Sequence, residues 1–437
     1  MTRLVLALVL TLGAATASAQ QPPPPAAPLT LAQLEQLALE SNPTVRAARA
    51  AIDAASARAR QAGAWPNPVV GFAAEEVAFG GAEPRGSHGL FVEQTVPLFG
   101  KLALGRAIFD RVADEASIRA ELQERRIVSS VRTLFYQLLT AERRIQVHER
   151  LTALSSEATG VTAQLFNVGA ADRPDFLESD IEMRRVRLEL NAARNEQFAL
   201  RQQLAAVVGR AEIADRAVDG TIDVAIPELE RAATLQALVE RSPQMRAARA
   251  AIARSQATTA LARRQTYPDL FVRGGTAFNR EHAEGTRQPL GWEGQIEAGI
   301  RLPLWNRNQG GIAASRADET LAEAELVRLE LSLRAEAASE FARYLTALRS
   351  AESFRAEIMP RAEQAYTLYL ARYREMAAAY PQVLMSQRML FELAREYLVH
   401  LETGWRSALR LQGFLAGEGL DAPGLTSETP GMSMERE

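Results

Sequence analysis

The sequence predicts a mainly α-helical protein with a small β part, built by an internal duplication. The stretch Arg-Ala-Ala-Arg-Ala-Ala-Ile begins at Arg46 and again at Arg246, 200 positions later. Hydrophobic residues make up 47% of the chain but aromatic residues only 6%, because alanine and leucine dominate, and this is typical of long, closely packed helices. Two stretches in each half alternate apolar and polar residues, which predicts strands. A repeat this long is too coarse for a solenoid, so we expect two similar halves sharing one core.

The first nineteen residues have the features of a secretory signal peptide. Arg3 precedes an apolar run at 4–12, and Ala17-Ser18-Ala19 fits a small-residue cleavage site. We therefore expect the mature chain to leave the cytoplasm, with residues 20–28 as a Pro-rich tether. The sequence has no cysteine, which excludes disulfides, thiolate metal sites and a lipidated N-terminal cysteine. The net charge of −3, with arginine and glutamate interspersed, gives no indication of a nucleic-acid partner.

The long helices are predicted where proline is absent and helix formers dominate. One runs from about residue 101 to 166, and its counterpart runs from about 309 to 373 with a kink at Pro360 near its end. Apolar residues in the first follow a 3-4-3-4 spacing, which is typical of coiled coils. At 1.5 Å per residue, such a helix is roughly 100 Å long, too long for a compact globule.

Two shorter helices are predicted in each half. One begins at Pro43 and at Pro243, with Asn42 or Ser242 as the N-cap. The other begins just after Pro174 and Pro381, and is expected to end near Gly209 in the first half and Gly417 in the second. Two short helices stacked end to end beside one long helix would satisfy the apolar stripes of both.

The strands are predicted at 69–79 and 90–98 in the first half and at 270–279 and 292–303 in the second. In the last of these, alternation places Ile296, Ile300 and Leu302 on one face and Glu293, Glu297 and Arg301 on the other. Four strands cannot close a barrel, for which about eight is the practical minimum. If the apolar face meets lipid, several chains must each contribute four strands.

Other residues carry no clear chemistry. His88 and His282 fall in the predicted β-hairpin loops, where a surface role is favoured over a metal site because further donors are lacking at suitable spacing. Met376, Met385 and Met389 are interpreted as packing residues rather than soft-metal ligands. Glu75 and Glu76 are adjacent, so they point to opposite faces of a strand and do not form an acid–base pair. We expect neither an enzyme nor a cofactor.

The sequence resembles the TolC family of outer-membrane efflux proteins. The resemblance is carried by the signal peptide, the duplication, the segment Trp65-Pro66-Asn67-Pro68 before the first strand, and Val96-Pro97-Leu98-Phe99-Gly100-Lys101 after the second. It implies a homotrimer with a twelve-stranded transmembrane β-barrel in outer-membrane lipid, continued into the periplasm by a long coiled-coil α-helical barrel. It also implies two partners, a periplasmic adaptor (membrane fusion protein) and an inner-membrane pump of the RND type or another type.

The same resemblance indicates how the chain is organised. The first repeat is expected at 29–232, the second at 233–417 and a C-terminal tail at 418–437, with residues 211–232 in an equatorial girdle.

The resemblance also implies a gate where the helix pairs turn. We define the first tip as residues 166–175 and the second tip as residues 373–381. The predicted gate residues are Asp172, Arg173, Asp175, Glu178, Arg372, Arg374, Glu375 and Gln382, and the predicted adaptor contacts are Val168, Gly169, Ala170, Ala377 and Ala378. Pairing of the first-tip acids with Arg173, Arg372 or Arg374 is expected to hold the neck shut.

The function expected from these features is passive conduction of substrates from a pump and adaptor to the exterior. Asn67-Pro68 and Phe99-Gly100-Lys101 are most similar to the branch that serves heavy-metal exporters, so heavy-metal cations are one expected cargo. The alternative from another class is a periplasmic coiled-coil adaptor or scaffold without a pore, which accounts for the helices but not for the strands.

Overall fold

A computed structural model describes residues 27–76, 86–282, 288–415, 417 and 419–421. The predicted signal peptide, most of the tether, residues 77–79 of the first predicted strand and most of the C-terminal tail lie outside these residues.

Helices and strands follow one another in the same order in the two halves. The first half contains α1 (Leu31–Ser41), α2 (Pro43–Ala62), β1 (Val69–Glu75), β2 (Ser87–Val96), α3 (Lys101–Asn167) and α4 (Arg173–Val208). A 3₁₀ turn (Ala211–Asp215) follows. The second half contains α5 (Arg231–Arg241), α6 (Pro243–Arg264), β3 (Leu270–His282), β4 (Pro289–Ile300), α7 (Gln309–Ser353), α8 (Met359–Arg374) and α9 (Tyr380–Gln412), with a π turn (Phe354–Ile358) between α7 and α8.

The predicted starts of α2 and α6 are confirmed, and each is preceded by a helix that the sequence analysis missed. The side chain of Asn42 accepts a hydrogen bond from the Thr44 N–H at 2.8 Å, and the Ser242 hydroxyl accepts one from the Met245 N–H at 3.2 Å. Helices α1 and α5 end one residue before these caps. Each cap therefore separates two helices rather than starting the first one.

The additional helices α1 and α5 repeat a side-chain contact. Gln36 donates a hydrogen bond from Nε2 to Glu40 Oε1 at 3.0 Å, and Gln236 donates the same bond to Glu240 at the same distance. The four residues lie 200 positions apart in pairs, so the duplication extends from the sequence to local geometry.

The two long helices differ in continuity. Helix α3 is unbroken over 67 residues, which corresponds to roughly 100 Å. Its counterpart is interrupted by the π turn at Phe354–Ile358, directly before Pro360. Proline cannot donate the helical hydrogen bond and its ring crowds the preceding turn, and the widened π turn accommodates both effects. The irregularity predicted at Pro360 is confirmed, and it takes this form.

The helix ends are predicted correctly in one half only. Helix α4 ends at Val208, directly before Gly209, whose φ of +81° suits glycine. Helix α9 ends at Gln412 rather than near Gly417, because Phe414 and Leu415 adopt positive φ and the Leu415 N–H donates back to the Arg410 carbonyl at 2.6 Å. Burial of Leu415 in the core accompanies this early end.

The four strands form one antiparallel sheet in the order β1-β2-β3-β4. Strand β2 begins three residues before its predicted start and ends at Val96, ahead of Pro97, which has no N–H for the ladder. Strand β3 continues three residues further than predicted, to His282, and β4 lies three residues earlier than predicted at both ends. These shifts place His88 inside β2, between the rings of Phe72 and Phe278, so its predicted loop position is wrong.

The register gives the sheet one apolar face and one polar face. Val70, Val92, Gly274 and Ile296 are successive neighbours across the sheet, and Ile296 is 87% exposed. One residue earlier along β1, the row on the opposite face reads Val69, Glu93, Arg273 and Glu297. The alternation predicted for the fourth strand is therefore confirmed as far as Ile300, and it extends across all four strands, whereas Arg301 and Leu302 lie beyond the end of β4.

Glycines allow an aromatic ring to lie flat on the polar face. A Cβ at Gly71 would fall 2.4 Å from the Phe91 ring, and one at Gly275 would fall 3.2 Å from the Phe91 Cβ. The guanidinium of Arg273 stacks on this ring at 3.8 Å from its centroid, which holds the arginine side chain against the sheet.

The main apolar core lies away from the sheet, where α1, α3, α4, α7 and α9 meet the segment between the halves. In this region the Tyr344 hydroxyl donates to the Pro227 carbonyl at 2.8 Å and accepts from the Leu229 N–H at 3.1 Å. Leu29 pairs with Val218 as an isolated parallel bridge. Within the described ranges, no helix is both long and apolar enough to cross a membrane.

Candidate functional site at the helix tips

Each tip is a tight turn between two antiparallel helices. Helix α3 ends before Gly169, which has a φ of +77°, and the Ala170 N–H donates to the Leu165 carbonyl at 2.7 Å. The second tip makes the equivalent bond from the Ala377 N–H to the Arg372 carbonyl at 2.8 Å, with Met376 at a φ of +58°. A methionine thus occupies a backbone conformation that favours glycine, so the second tip carries more local strain than the first.

Behind the second tip, an apolar cluster joins the two helical hairpins, α3–α4 and α8–α9. Tyr366, Tyr373 and Tyr380 are buried there together with Leu165 of α3. The rings of Tyr373 and Tyr380 lie 5.8 Å apart. Burial raises the pKa of the Tyr366 hydroxyl to about 12 and the pKa of Tyr380 further still. Both phenols therefore stay neutral at physiological pH.

A set of polar contacts crosses between the two hairpins beside this cluster; we call it the interhairpin contacts. In hydrogen bonds, Tyr373 donates from its hydroxyl to Thr162 at 3.4 Å and Gln387 donates to the Ser155 hydroxyl at 2.5 Å. In ion pairs, Arg374 binds Glu157, Arg388 binds Glu182 at 3.1 Å, and Arg150 binds Glu363 at 3.4 Å. Helices α3 and α4 supply one partner of every pair, and α8 and α9 supply the other.

The burial of these side chains decides how much each ion pair stabilises the packing of the two hairpins. The Glu182 side chain is 4% exposed, whereas the Arg374 and Glu157 side chains are each close to half exposed. An exposed ion pair is worth about 0 to 1 kcal/mol, but removing the partner of a buried charge costs roughly 3 to 5 kcal/mol. Arg388 is therefore the arginine that stabilises the junction of the hairpins most.

The acidic gate candidates lie together, and within the described part of one chain they are not paired with the candidate arginines. Among the described residues, no ion pair joins Asp172, Asp175 or Glu178 to Arg173, Arg372 or Arg374. Burial and repulsion from Asp172 and Glu178 raise the pKa of the Asp175 carboxyl above its ordinary 3.8. Within one chain, Arg374 instead extends from the last turn of α8 to Glu157 on α3. The expected pairing concerns acids and arginines brought together in the assembled trimer, so it stays a prediction.

The other candidates lie at the surface of the tips. Arg173, Arg372, Glu375 and Gln382 are exposed. Of the predicted adaptor contacts, Val168 (73% exposed), Gly169, Ala170 and Ala377 are exposed, and Ala378 is half-buried. Met376, Met385 and Met389 are also exposed, so they do not pack in the core of a single chain, as their interpretation as packing residues would require.

The interhairpin contacts were not predicted from the sequence. The 3-4-3-4 spacing in the first long helix places Leu154 and Val161 in the predicted apolar stripe. The structure instead buries Ser155 and Thr162, seven residues apart, between Leu151, Ala158 and Leu165. Polar residues repeating at heptad spacing inside an apolar stripe were the available signal. In the described part of the chain, no group of three or more His, Asp or Glu side chains is placed to hold a metal ion.

Comparison with known proteins gives consistent results. Residues 34–210 and 234–411 match the outer membrane efflux protein family. The chain is 25% identical over 397 residues to the cobalt-zinc-cadmium resistance protein CzcC of Cupriavidus metallidurans, covering 89% of this chain and 90% of the relative.

Solved structures show the same fold. CusC superimposes with a TM-score of 0.75 at 16% identity, covering 89% of this chain and 92% of that chain. The outer membrane protein VceC of Vibrio cholerae superimposes with a TM-score of 0.74 at 17% identity, covering 89% and 96%. Since the family match spans most of the chain and both halves, the protein is a member of the outer membrane efflux protein family.

Proposed function

We propose that the sheets of three copies of this chain close into one barrel and form a duct through the outer membrane. This duct would be the exit component of a tripartite efflux system. One observation carries this proposal: the sheet has an exposed apolar face, its outer strands β1 and β4 have no second partner among the described residues, and β2 leads into a 67-residue helix. An unpaired strand edge in lipid costs several kcal/mol per backbone group, so the edges must pair between copies. Three sheets of four strands give the twelve strands expected from the family resemblance.

The tips supply the second part of the proposal. The exposed residues of the two tips form the end of the molecule farthest along the helices from the sheet, where a periplasmic adaptor of an inner-membrane pump would bind. The interhairpin contacts would hold the tips in their resting position, and adaptor binding would rearrange them. The transported substrate would pass through the lumen that the three copies enclose, which the polar faces of their sheets would line.

Planar-bilayer recording of purified protein tests the duct directly. We expect discrete single-channel steps from the trimeric fraction and none from monomer. A protein that is released as a soluble periplasmic species and gives no conductance would instead support the scaffold alternative.

For the cargo, we propose heavy-metal divalent cations, on the strength of the likeness to the cobalt-zinc-cadmium resistance protein. Deleting the gene should lower the tolerance of its host to Co²⁺, Zn²⁺ or Cd²⁺, and plasmid-borne protein should restore it. Unchanged tolerance of all three metals alongside lost tolerance of organic compounds would contradict this assignment while leaving the duct intact.

A further inference from the structure

Lys101 is the only lysine in the sequence; the other basic residues among the 50 Lys and Arg are arginine. It is the first residue of α3, directly after the turn that leaves β2, and its side chain is only 15% exposed. The position therefore differs in chemistry from every other basic site in the chain.

Three segments meet at the carboxylate that binds this lysine. The Lys101 ammonium donates to Asp269 Oδ1 at 2.8 Å and to the Tyr267 carbonyl at 2.7 Å. The same Asp269 oxygen accepts the Leu98 backbone N–H at 3.0 Å. Asp269 precedes β3 and Leu98 follows β2, so one carboxylate joins the ends of both strands to the start of the long helix.

These contacts lie at the end of the strand pairing between the two halves. The last pair of that ladder is Val96 with Leu270. The pairs β1–β2 and β3–β4 are hairpins, whose register is set by their loops. Strands β2 and β3 are separated by α3, α4, α5 and α6, so no turn sets their register, and a slip of one residue would exchange the two faces.

The turn at Phe99 and Gly100, directly before Lys101, has a strained backbone and is held in place by an aromatic contact. Phe99 and Gly100 have consecutive positive φ values of 58° and 74°, and the Phe99 ring packs on Tyr267 at 4.9 Å. When Leu302-Pro303-Leu304 is aligned with Val96-Pro97-Leu98, Arg307 takes the position of Lys101, and Arg307 is exposed. There the Asn308 amide donates to the Ala262 carbonyl instead. The ionic contact occurs only at the junction where a strand of the other half must be aligned.

We propose that Lys101 and Asp269 are positioning residues that set the register of β2 against β3, and thereby keep the apolar face of the whole sheet on one side. The ammonium holds Asp269 at the end of β2, and Asp269 in turn fixes Leu98. This role is independent of what the duct transports and of its partners.

Disulfide trapping measures the register directly because the chain has no cysteine of its own. Val92 and Gly274 are neighbours in the observed register, and a Cβ at Gly274 has open space around it. Val92→Cys with Gly274→Cys reports this register. Val92→Cys with Arg273→Cys reports a slip of one residue, which exchanges the faces of β3, and Val92→Cys with Val272→Cys or with Thr276→Cys reports a slip of two residues. The chain is refolded in detergent, the oligomer is isolated, and the ratio of native to slipped cross-link is measured.

In the otherwise unchanged chain the native cross-link should dominate. Lys101→Met and Asp269→Leu should lower the ratio about tenfold or more, because a charge-assisted hydrogen bond is lost. Asp269→Asn keeps an acceptor for the Leu98 N–H, so it should give an intermediate ratio. It should still assemble into oligomer if Lys101→Met and Asp269→Leu do not. Arg106→Met, which removes an exposed ion pair with Asp110 on the same helix, is the matched control and should leave the ratio unchanged.

An unchanged ratio in the assembled Lys101→Met, Asp269→Leu and Asp269→Asn proteins would overturn the proposal. A loss of oligomer yield without a change of the cross-link ratio would also overturn it. The Lys101–Asp269 ion pair would then stabilise the place where β2, β3 and α3 meet without aligning the strands.

Discussion

Arg374 and Arg388 bind glutamates of the other helical hairpin in different surroundings. Both should restrain the tips, but the buried Glu182 makes Arg388 the stronger restraint. We expect Arg388→Ala to raise single-channel conductance in planar bilayers more than Arg374→Ala does. Arg143→Ala serves as the control, because Arg143 donates to the side chain of Gln146 on its own helix and forms no ion pair with the α8–α9 hairpin among the described residues.

Equal conductance in the unaltered protein, in Arg374→Ala and in Arg388→Ala, with trimer yield intact, would contradict a gating role. The interhairpin contacts would then stabilise the packing of the coiled coils and nothing else.

Asp175 makes the first tip sensitive to pH. Its pKa is raised in the folded chain by burial and by Asp172 and Glu178. A raised pKa means that protonation of Asp175 stabilises the folded chain relative to the unfolded chain. This stabilisation is complete below pH 3.8, the ordinary pKa of aspartate, and is lost as the pH rises through the raised pKa of the folded chain. The first tip should become more stable as the medium is acidified through this range.

Asp175→Asn should keep the first tip in its more stable state at neutral pH, because a neutral amide replaces the repelled carboxylate. Amide-exchange protection factors across residues 168–180, corrected for intrinsic rates, measure the change. A variant that protects the tip less at neutral pH than aspartate does would show that Asp175 has a favourable partner in the assembly.

Single residues were predictable where the determinant is local. The caps at Asn42 and Ser242 follow from a short polar residue before proline, and Gly209 follows from its tolerance of positive φ. The partners of Arg374, Arg388 and Tyr373 were not predictable, since each lies more than 200 positions away. Which of several tip acids an arginine binds depends on the rotation of each helix, and charge patterns do not encode that rotation.

At the scale of elements, the sheet gives a direct comparison of its two faces. Ile296 and Gln295 are adjacent in β4 and point to opposite faces. Ile296→Arg places a charge on the apolar face, at about 2 to 4 kcal/mol per strand if it lies near the bilayer midplane. We expect this variant to fail to assemble in the outer membrane, whereas Gln295→Arg should assemble. Heat-modifiable oligomer in the outer-membrane fraction is the readout.

Assembly of the Ile296→Arg protein at normal yield would mean that the apolar face does not meet lipid. Failure of both variants would show instead that β4 tolerates no added arginine, whichever way it points.

Element types were predicted better than element boundaries. Alternation identified all four strands, but hairpin loops gave no signal for where pairing stops, so the ends of β2, β3 and β4 moved by up to three residues and β1 ends four residues before its predicted end. Helices α1 and α5 were missed because the Asn-Pro and Ser-Pro boundaries were taken as first starts. The π turn illustrates a further limit: proline predicts an interruption, but the hydrogen-bond pattern that accommodates it depends on the helices packed around it.

At the scale of the whole molecule, the chain shows features of an incomplete unit. Large apolar side chains on the sheet are exposed, including Phe72 at 64% and Trp292 at 74%, and the outer edges of β1 and β4 have no partner among the described residues. Helix α4 likewise exposes Leu188 and Phe198. Burial of these surfaces requires other copies and lipid, which is why oligomerisation is central to the proposed function.

The closure of the barrel by three copies is the central claim, and the absence of cysteine makes it measurable. Val70 in β1 and Ile296, Ala298 and Ile300 in β4 lie on the apolar face, at opposite edges of the sheet. A chain carrying Val70→Cys and one cysteine at each of these β4 positions in turn is assembled in membranes, oxidised and analysed by denaturing, non-reducing electrophoresis. The account predicts that at least one pair gives a covalent ring of three chains as its end product. End products of two chains, or a ladder that extends beyond three, would contradict it.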